Sequence, residues 1–340
     1  MTTNFKYFLL AAVIALSSSC VKNDPEPEPP KPGEIAYILN EGAFGAENGT
    51  IAKIDITNAL VTKTYFRIVN QFLLGDIVQS MGETADKYYI VVNNSAKIEV
   101  VDKVTFNSQM TIEDMGSPRY FLAINDTLAY VTDLFAGAIH QINPETGDKY
   151  NDIPVNGWSE QMERIDDEVY VTLFSDLKVG VIDIETQSLV DSIPVDLPPT
   201  KMVMDKFNKL WVIGSVYQGA SKLYKIDGES RMIESEWLFD DSDPLMQLTI
   251  DPEGSNIYYG VANSKIFKMD VSATSLPSEP LINFDFQNLY GIGVNKDGKV
   301  FACEALDFVQ DGLVLLFDNS GNIESQIPSG VAPNGLVFTE

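Results

Sequence analysis

An aromatic residue inside a short apolar strand returns seven times along this chain: Tyr37 in IAYILN, Tyr89 in YYIVVN, Tyr130 in AYVTD, Tyr170 in VYVTL, Trp211 in LWVIG, Tyr258 in IYYGV and Phe301 in VFACE. The steps between them are 52, 41, 40, 41, 47 and 43 residues. Downstream of each comes a second strand that ends in an apolar residue and a polar one. These pairs are Ile54-Asp55, Val101-Asp102, Ile142-Asn143, Ile182-Asp183, Ile226-Asp227, Met269-Asp270 and Phe317-Asp318. Two markers in strict alternation at a recurring spacing signal a repeat architecture in which each unit buries its apolar face against its neighbours.

The content of one repeat fixes which architecture. The Asp or Asn opens a turn, seen in Asn143-Pro144-Glu145-Thr146-Gly147, where Pro presets φ and Gly accepts a positive one. An amphipathic third strand follows, as at residues 188–195, and then a fourth before the next aromatic, as at 202–205. Four short antiparallel strands every roughly 40–50 residues describe a propeller blade. The expected fold is therefore all-β, a seven-bladed β-propeller over residues 35–340. The first repeat lacks a preceding inner strand and the chain ends with a spare one, residues 334–339, so the C-terminal strand should close the ring and leave no free sheet edge. The recurrent Asp reads as turn chemistry rather than metal ligation.

Residues 1–34 differ in kind. Lys6, an apolar stretch over 7–16 and then Ser17, Ser18, Ser19 and Cys20 form a signal peptide over 1–19 whose apolar part is too short for a stable membrane-spanning helix. The end of this leader resembles a lipoprotein box, which makes Cys20 the lipidated residue and places the protein at the outer membrane. Residues 20–34 are rich in Pro and acidic side chains, an extended tether. Within it Lys22, Asn23, Asp24 and Glu26 resemble the acidic signal that sends lipoproteins to the cell surface. The only other cysteine is Cys303, so the folded domain holds no internal disulfide. A net charge of −26 argues against nucleic acid as a partner, since phosphate binding rests on Lys and Arg.

Catalytic signals are sparse. There is no GxSxG elbow, no HExxH, no P-loop and no DxDxDG calcium loop. His140, the single histidine, falls inside a strand, where a structural or surface role is expected. Glu160, Glu304 and Asp307 are the acidic residues that a metal-dependent lyase or hydrolase on the ring axis would use. A scaffold that binds a polypeptide or glycan is a further alternative. No metal site and no required cofactor are expected, and the protein is expected not to be an enzyme.

In a propeller the ligand face is built from the loops after the aromatic strands and from the segments entering the inner strands. The first of these loops, 40–49 (NEGAFGAENG), carries Phe44. The others contribute Asn94, Phe135, Phe174, Tyr217 and Phe308. The entering segments contribute Arg119, Tyr120, Trp158, Gln161, Gln247, Tyr290 and Asn334. Aromatic rings supply apolar area at small entropic cost and the amides between them supply hydrogen bonds, a composition suited to a binding rim.

The aromatic strand, the Ile-Asp turn and the Asn-Glu-Gly opening resemble the YncE-like propellers of the DUF5074 kind, over residues 35–340. With the lipoprotein box, the acidic tether and the NEGxFGxxNG opening, the chain is similar to the corrinoid-capturing surface lipoproteins of the BtuG type. That resemblance implies a cobalamin or other corrinoid as bound ligand. It also implies transfer to a BtuB-like TonB-dependent outer-membrane transporter.

Overall fold

The computed structural model describes residues 34–216 and 219–339. The signal peptide, Cys20 and the tether up to residue 33 lie outside the described residues, as does Tyr217. Within the described residues, seven four-stranded antiparallel sheets follow one another around a ring. Blade 1 joins the C-terminal strand Pro333–Thr339 to Ile35–Asn40, Thr50–Asp55 and Leu60–Thr62. The pairing of Ile35 with Thr339 and of Leu39 with Gly335 closes the ring as expected. Inner strands of successive blades touch in order, and the inner strand of blade 1 touches those of blades 7 and 2.

The recurrent aromatic explains why the blades adhere. Tyr37, Tyr89, Tyr130, Tyr170, Trp211, Tyr258 and Phe301 are all buried, and each belongs to a different apolar cluster. Each of the seven clusters combines residues of two adjacent blades. The Tyr89 hydroxyl donates to the Pro144 carbonyl of the next blade at 2.9 Å, and Tyr170 donates to Gly228 at 2.5 Å. One large ring per wedge fills the gap left by radially splayed sheets, and burying each stabilises the contact by about 1.5–3 kcal/mol.

The polar residue at the end of the strand that follows the aromatic one, third in the blade when counted from the axis, acts as a turn anchor in all seven blades. Asp55, Asp102, Asn143, Asp183, Asp227, Asp270 and Asp318 each accept a backbone N–H from two to four residues ahead. A helix that the repeat does not account for, Tyr65–Asn70, lies between blades 1 and 2. It occupies the extra length in the 52-residue first step, and Phe66 plugs it into the cluster shared by these blades.

Candidate functional site

Every inner strand carries an irregularity at its entrance. Pairing with the aromatic strand skips Gln79 in blade 2, Arg119 and Tyr120 in blade 3, Glu160 and Gln161 in blade 4 and Thr200 in blade 5. It likewise skips Met246, Tyr290 and Asn334 in blades 6, 7 and 1. A bulge inserts unpaired residues, bends the strand and re-aims side chains. Here seven bulges at equivalent positions surround the ring axis, and Gln79, Arg119, Tyr120, Glu160, Thr200, Asn334 and Tyr290 line a central funnel of about 540 Å³ together with Lys201 and Gln247. The segments read from sequence as entering loops are thus the bulged first residues of the strands themselves.

The loops that follow the aromatic strands form the funnel's rim. Phe44, 81% exposed, stands at the tip of the 41–49 loop and lines the funnel mouth. Gly42 at φ +86° lets the chain double back, because a Cβ there would lie 2.5 Å from the Asn48 side-chain oxygen. Gly45 N–H donates to Asp76 Oδ2 at 2.8 Å, tying the loop tip to blade 2. On the neighbouring blade 7, Phe308 meets Tyr290 edge to face with centroids 4.9 Å apart. Trp158 lines the wall, backed by Phe174 in a stack at 4.1 Å.

The floor is polar and mostly self-satisfied. Arg119 Nε donates to both oxygens of Glu160 at 2.9 and 3.1 Å, its Nη1 donates to Gln79, and the Trp158 indole N–H also donates to Glu160. Glu41 accepts the Tyr290 hydroxyl at 3.0 Å and the Asn334 amide at 3.0 Å. Burial pushes the Glu41 carboxyl above its usual range, opposed by those two hydrogen bonds and by the charges of Arg119 and Lys201. Burial likewise raises the phenols of Tyr120 and Tyr290 and depresses the Lys201 ammonium, the last against the attraction of Glu160 and Glu41. The Asn334 side-chain oxygen is buried with no protein partner.

Of the residues named from sequence, Phe44, Arg119, Tyr120, Trp158, Gln247, Tyr290, Phe308 and Asn334 come together at the funnel. The others take different places. The Asn94 amide donates to Asp76 Oδ2 at 2.6 Å and so braces the Phe44 loop from behind. Gln161 accepts the Met202 backbone N–H at 2.6 Å, joining blades 4 and 5. Phe174 is the second layer under Trp158, and Phe135, although 80% exposed, does not line the funnel. Asn40 and Asp133, each ending an aromatic strand, are both buried: Asp133 accepts the Phe135 and Ala136 N–H groups of the loop that follows it, whereas Asn40 accepts from Ser329 and Gly330 and so ties blade 1 to the strand Ile323–Val331 of blade 7. Sequence reasoning passed over Glu41, Gln79 and Lys201 as site members. Their common signal is position: Gln79 and Lys201 are the second or third residue of an inner strand, and Glu41 is the first residue beyond an aromatic strand.

The acidic trio that the alternative, metal-dependent enzyme would use does not assemble. Glu304 accepts backbone N–H groups of Gln287, Asn288 and Leu306, Asp307 accepts those of Val309 and Gln310, and only Glu160 faces the funnel. Among the described residues no group of three or more His, Cys, Asp or Glu is placed to hold a metal. His140 instead bridges two carboxylates, with Nδ1 3.1 Å from Asp152 and Nε2 3.6 Å from Asp133. Burial lowers its pKa, but the two carboxylates, Asp133 nearby and Asp152 hydrogen-bonded, outweigh this and hold it above the ordinary value.

Fold and site together define a β-propeller with one polar, aromatic-rimmed funnel at the entrance of its central channel. The chain belongs to the family described as a domain of unknown function, DUF5074, which matches residues 35–305. None of the curated proteins matches it in sequence. Among solved structures, it is similar to hydrazine synthase from Kuenenia stuttgartiensis, at 14% identity and a TM-score of 0.65, with 78% of this chain and 92% of that chain covered. It is also similar to a quinoprotein alcohol dehydrogenase-like protein from Bacteroides thetaiotaomicron, at 13% identity and a TM-score of 0.69, with 90% and 78% covered. At such identities the likeness is one of fold.

Proposed function

We propose that this protein is a non-catalytic capture protein that binds cobalamin or a related corrinoid over the central funnel, with no cofactor required for capture. The observation that carries the proposal is the convergence on one funnel of bulged inner-strand residues from six blades, joined by Gln247 next to the bulge of the seventh and ringed by Phe44, Phe308, Tyr290 and Trp158. A corrin is broad and flat and carries amides around its edge. Its face suits the exposed aromatic rim, and its amides suit Gln79, Gln247, Asn334 and Tyr120 below. A volume of about 540 Å³ admits the edge of such a ligand while the ring lies across the mouth. The recognition groups are preset by strands, so little ordering cost attends binding.

The resemblance to corrinoid-capturing lipoproteins adds the rest of the proposal. The protein is anchored through lipidated Cys20 in the outer membrane, exposed at the cell surface, and passes its ligand to a BtuB-like TonB-dependent transporter. Calorimetric titration with cyanocobalamin, followed in parallel by the visible spectrum of the corrin, tests capture. Saturable binding is expected for the native protein. Phe44→Ala should weaken it about tenfold or more while leaving stability within about 0.5 kcal/mol, because Phe44 is exposed and packs little of the fold. Absence of heat and of any spectral change for the native protein would overturn the proposal.

A further inference from the structure

Four charged side chains line the funnel: Glu41, Arg119, Glu160 and Lys201. Three of them are matched within the protein. Arg119 and Glu160 form a forked pair, with Nη2 also 2.9 Å from Glu160 Oε1, and Gln79 occupies the remaining edge of the guanidinium. Glu41 is capped by two neutral donors, Tyr290 and Asn334. Lys201 is different: among the described residues its ammonium makes neither an ion pair nor a hydrogen bond, although Glu160 and Glu41 act on it electrostatically. It follows the bulged Thr200 in blade 5 and is held in register against Ile213, so its backbone is fixed by the sheet.

A half-buried ammonium without a hydrogen-bonding partner loses hydration, which the longer-range attraction of Glu160 and Glu41 does not make good. Other lysines of the protein sit in ion pairs, such as Lys222 with Asp196 at 2.6 Å and Lys299 with Glu324 at 2.7 Å at the surface and Lys97 with the buried Glu99 at 3.4 Å. In a chain of net charge −26, an anion is repelled by most of the surface, and the site that accepts one must carry its own cation. Resting on the corrinoid reading above, we propose that Lys201 recognises an anionic group of the bound ligand, namely the phosphodiester of the nucleotide loop that distinguishes a complete corrinoid from one lacking that loop. Burial depresses the lysine's pKa in the empty funnel, and a phosphodiester seated beside it raises that value again.

The test compares cyanocobalamin, which carries the phosphodiester, with dicyanocobinamide, which does not. Lys201→Gln is expected to weaken cyanocobalamin binding about ten- to a hundredfold, the range of a charge-assisted hydrogen bond, and to leave dicyanocobinamide within about threefold. Lys201→Arg, which keeps the charge, should restore most of the cyanocobalamin affinity and serves as control for folding. Equal loss for both ligands, or no loss for either, overturns the role of Lys201 while leaving corrinoid capture intact. If the native protein binds neither corrinoid, capture itself fails, and inorganic phosphate becomes the probe. Slower acetylation of Lys201 in millimolar phosphate, read by mass spectrometry, then supports an anion seat, and an unchanged rate overturns it.

Discussion

Glu160 lies at the centre of the site's residue-scale chemistry. Its buried carboxylate accepts from Arg119 and from the Trp158 indole, so it orients one cation and one aromatic of the funnel at once. Replacing Glu160 by Gln leaves the partly buried Arg119 without its counter-ion. A destabilisation of about 1–3 kcal/mol is expected in urea unfolding, below the usual cost of breaking a fully buried pair because Arg119 keeps some solvent contact. Unchanged stability would show that the pair contributes nothing net. The turn carboxylates make a second prediction. Asp55, Asp102, Asp183, Asp227, Asp270 and Asp318 are all held below the usual range by local hydrogen bonds, with Asp227 lowered to about 2 chiefly by Lys209, 2.5 Å away. A carboxylate whose folded pKa is depressed contributes stability above its unfolded value of about 3.9, and that contribution fades as pH falls toward the folded value. Stability should therefore be level in this respect above about pH 5 and fall steadily between about pH 4 and 2. Asp227→Asn should flatten part of that slope, and an identical acid profile for the variant would contradict the assignment.

At the scale of elements, the strand pattern was readable because two periodicities reinforced one another. The buried aromatic reports the wedge between blades, and the Asp or Asn reports the turn after the third strand. Both are dictated by local physics that every blade must satisfy, so both recur. The bulges left no such mark. A bulge is a matter of register between two strands, and its side chains vary from Gln79 to Arg119 to Tyr290 because they serve the ligand rather than the blade. That is why sequence located the right segments and picked Tyr120, Tyr290 and Asn334, yet passed over Gln79 and Lys201 and included Asn94 and Gln161. The last two are amides of the expected type whose partners, Asp76 and the Met202 N–H, become adjacent only once the blades stand side by side. The closing strand Pro333–Thr339 supplies Asn334 to the funnel and seals blade 1. Deleting residues 333–340 should lower the melting temperature and broaden the transition for the whole domain, as judged by circular dichroism. A truncated protein that melts like the native one would mean that the strand is not needed to hold the ring.

For the whole molecule, sequence was sufficient to give the number of blades and the way the ring closes, since seven repeats and a displaced terminal strand leave one consistent arrangement. The helix Tyr65–Asn70 was not foreseen; the long first step was its only trace. The ring order of the blades then sets one bulge at the entrance of each inner strand, which brings most of these local irregularities onto a single surface. Stability and recognition are thereby partly separated: aromatic wedges between blades hold the ring, and the exposed rim residue Phe44 contributes little to it, while the Arg119–Glu160 pair on the floor serves both. Hydrogen–deuterium exchange with and without cyanocobalamin tests this directly. Protection is expected in the 41–49 loop, in the entrances of the inner strands around residues 79, 119–120, 158–161, 200–201, 290 and 334, and in the loop that carries Phe308. The opposite face, where the Asp-anchored turns lie, should be unchanged. Protection confined to that opposite face, or none anywhere at saturating cyanocobalamin, would contradict the funnel as the site of capture.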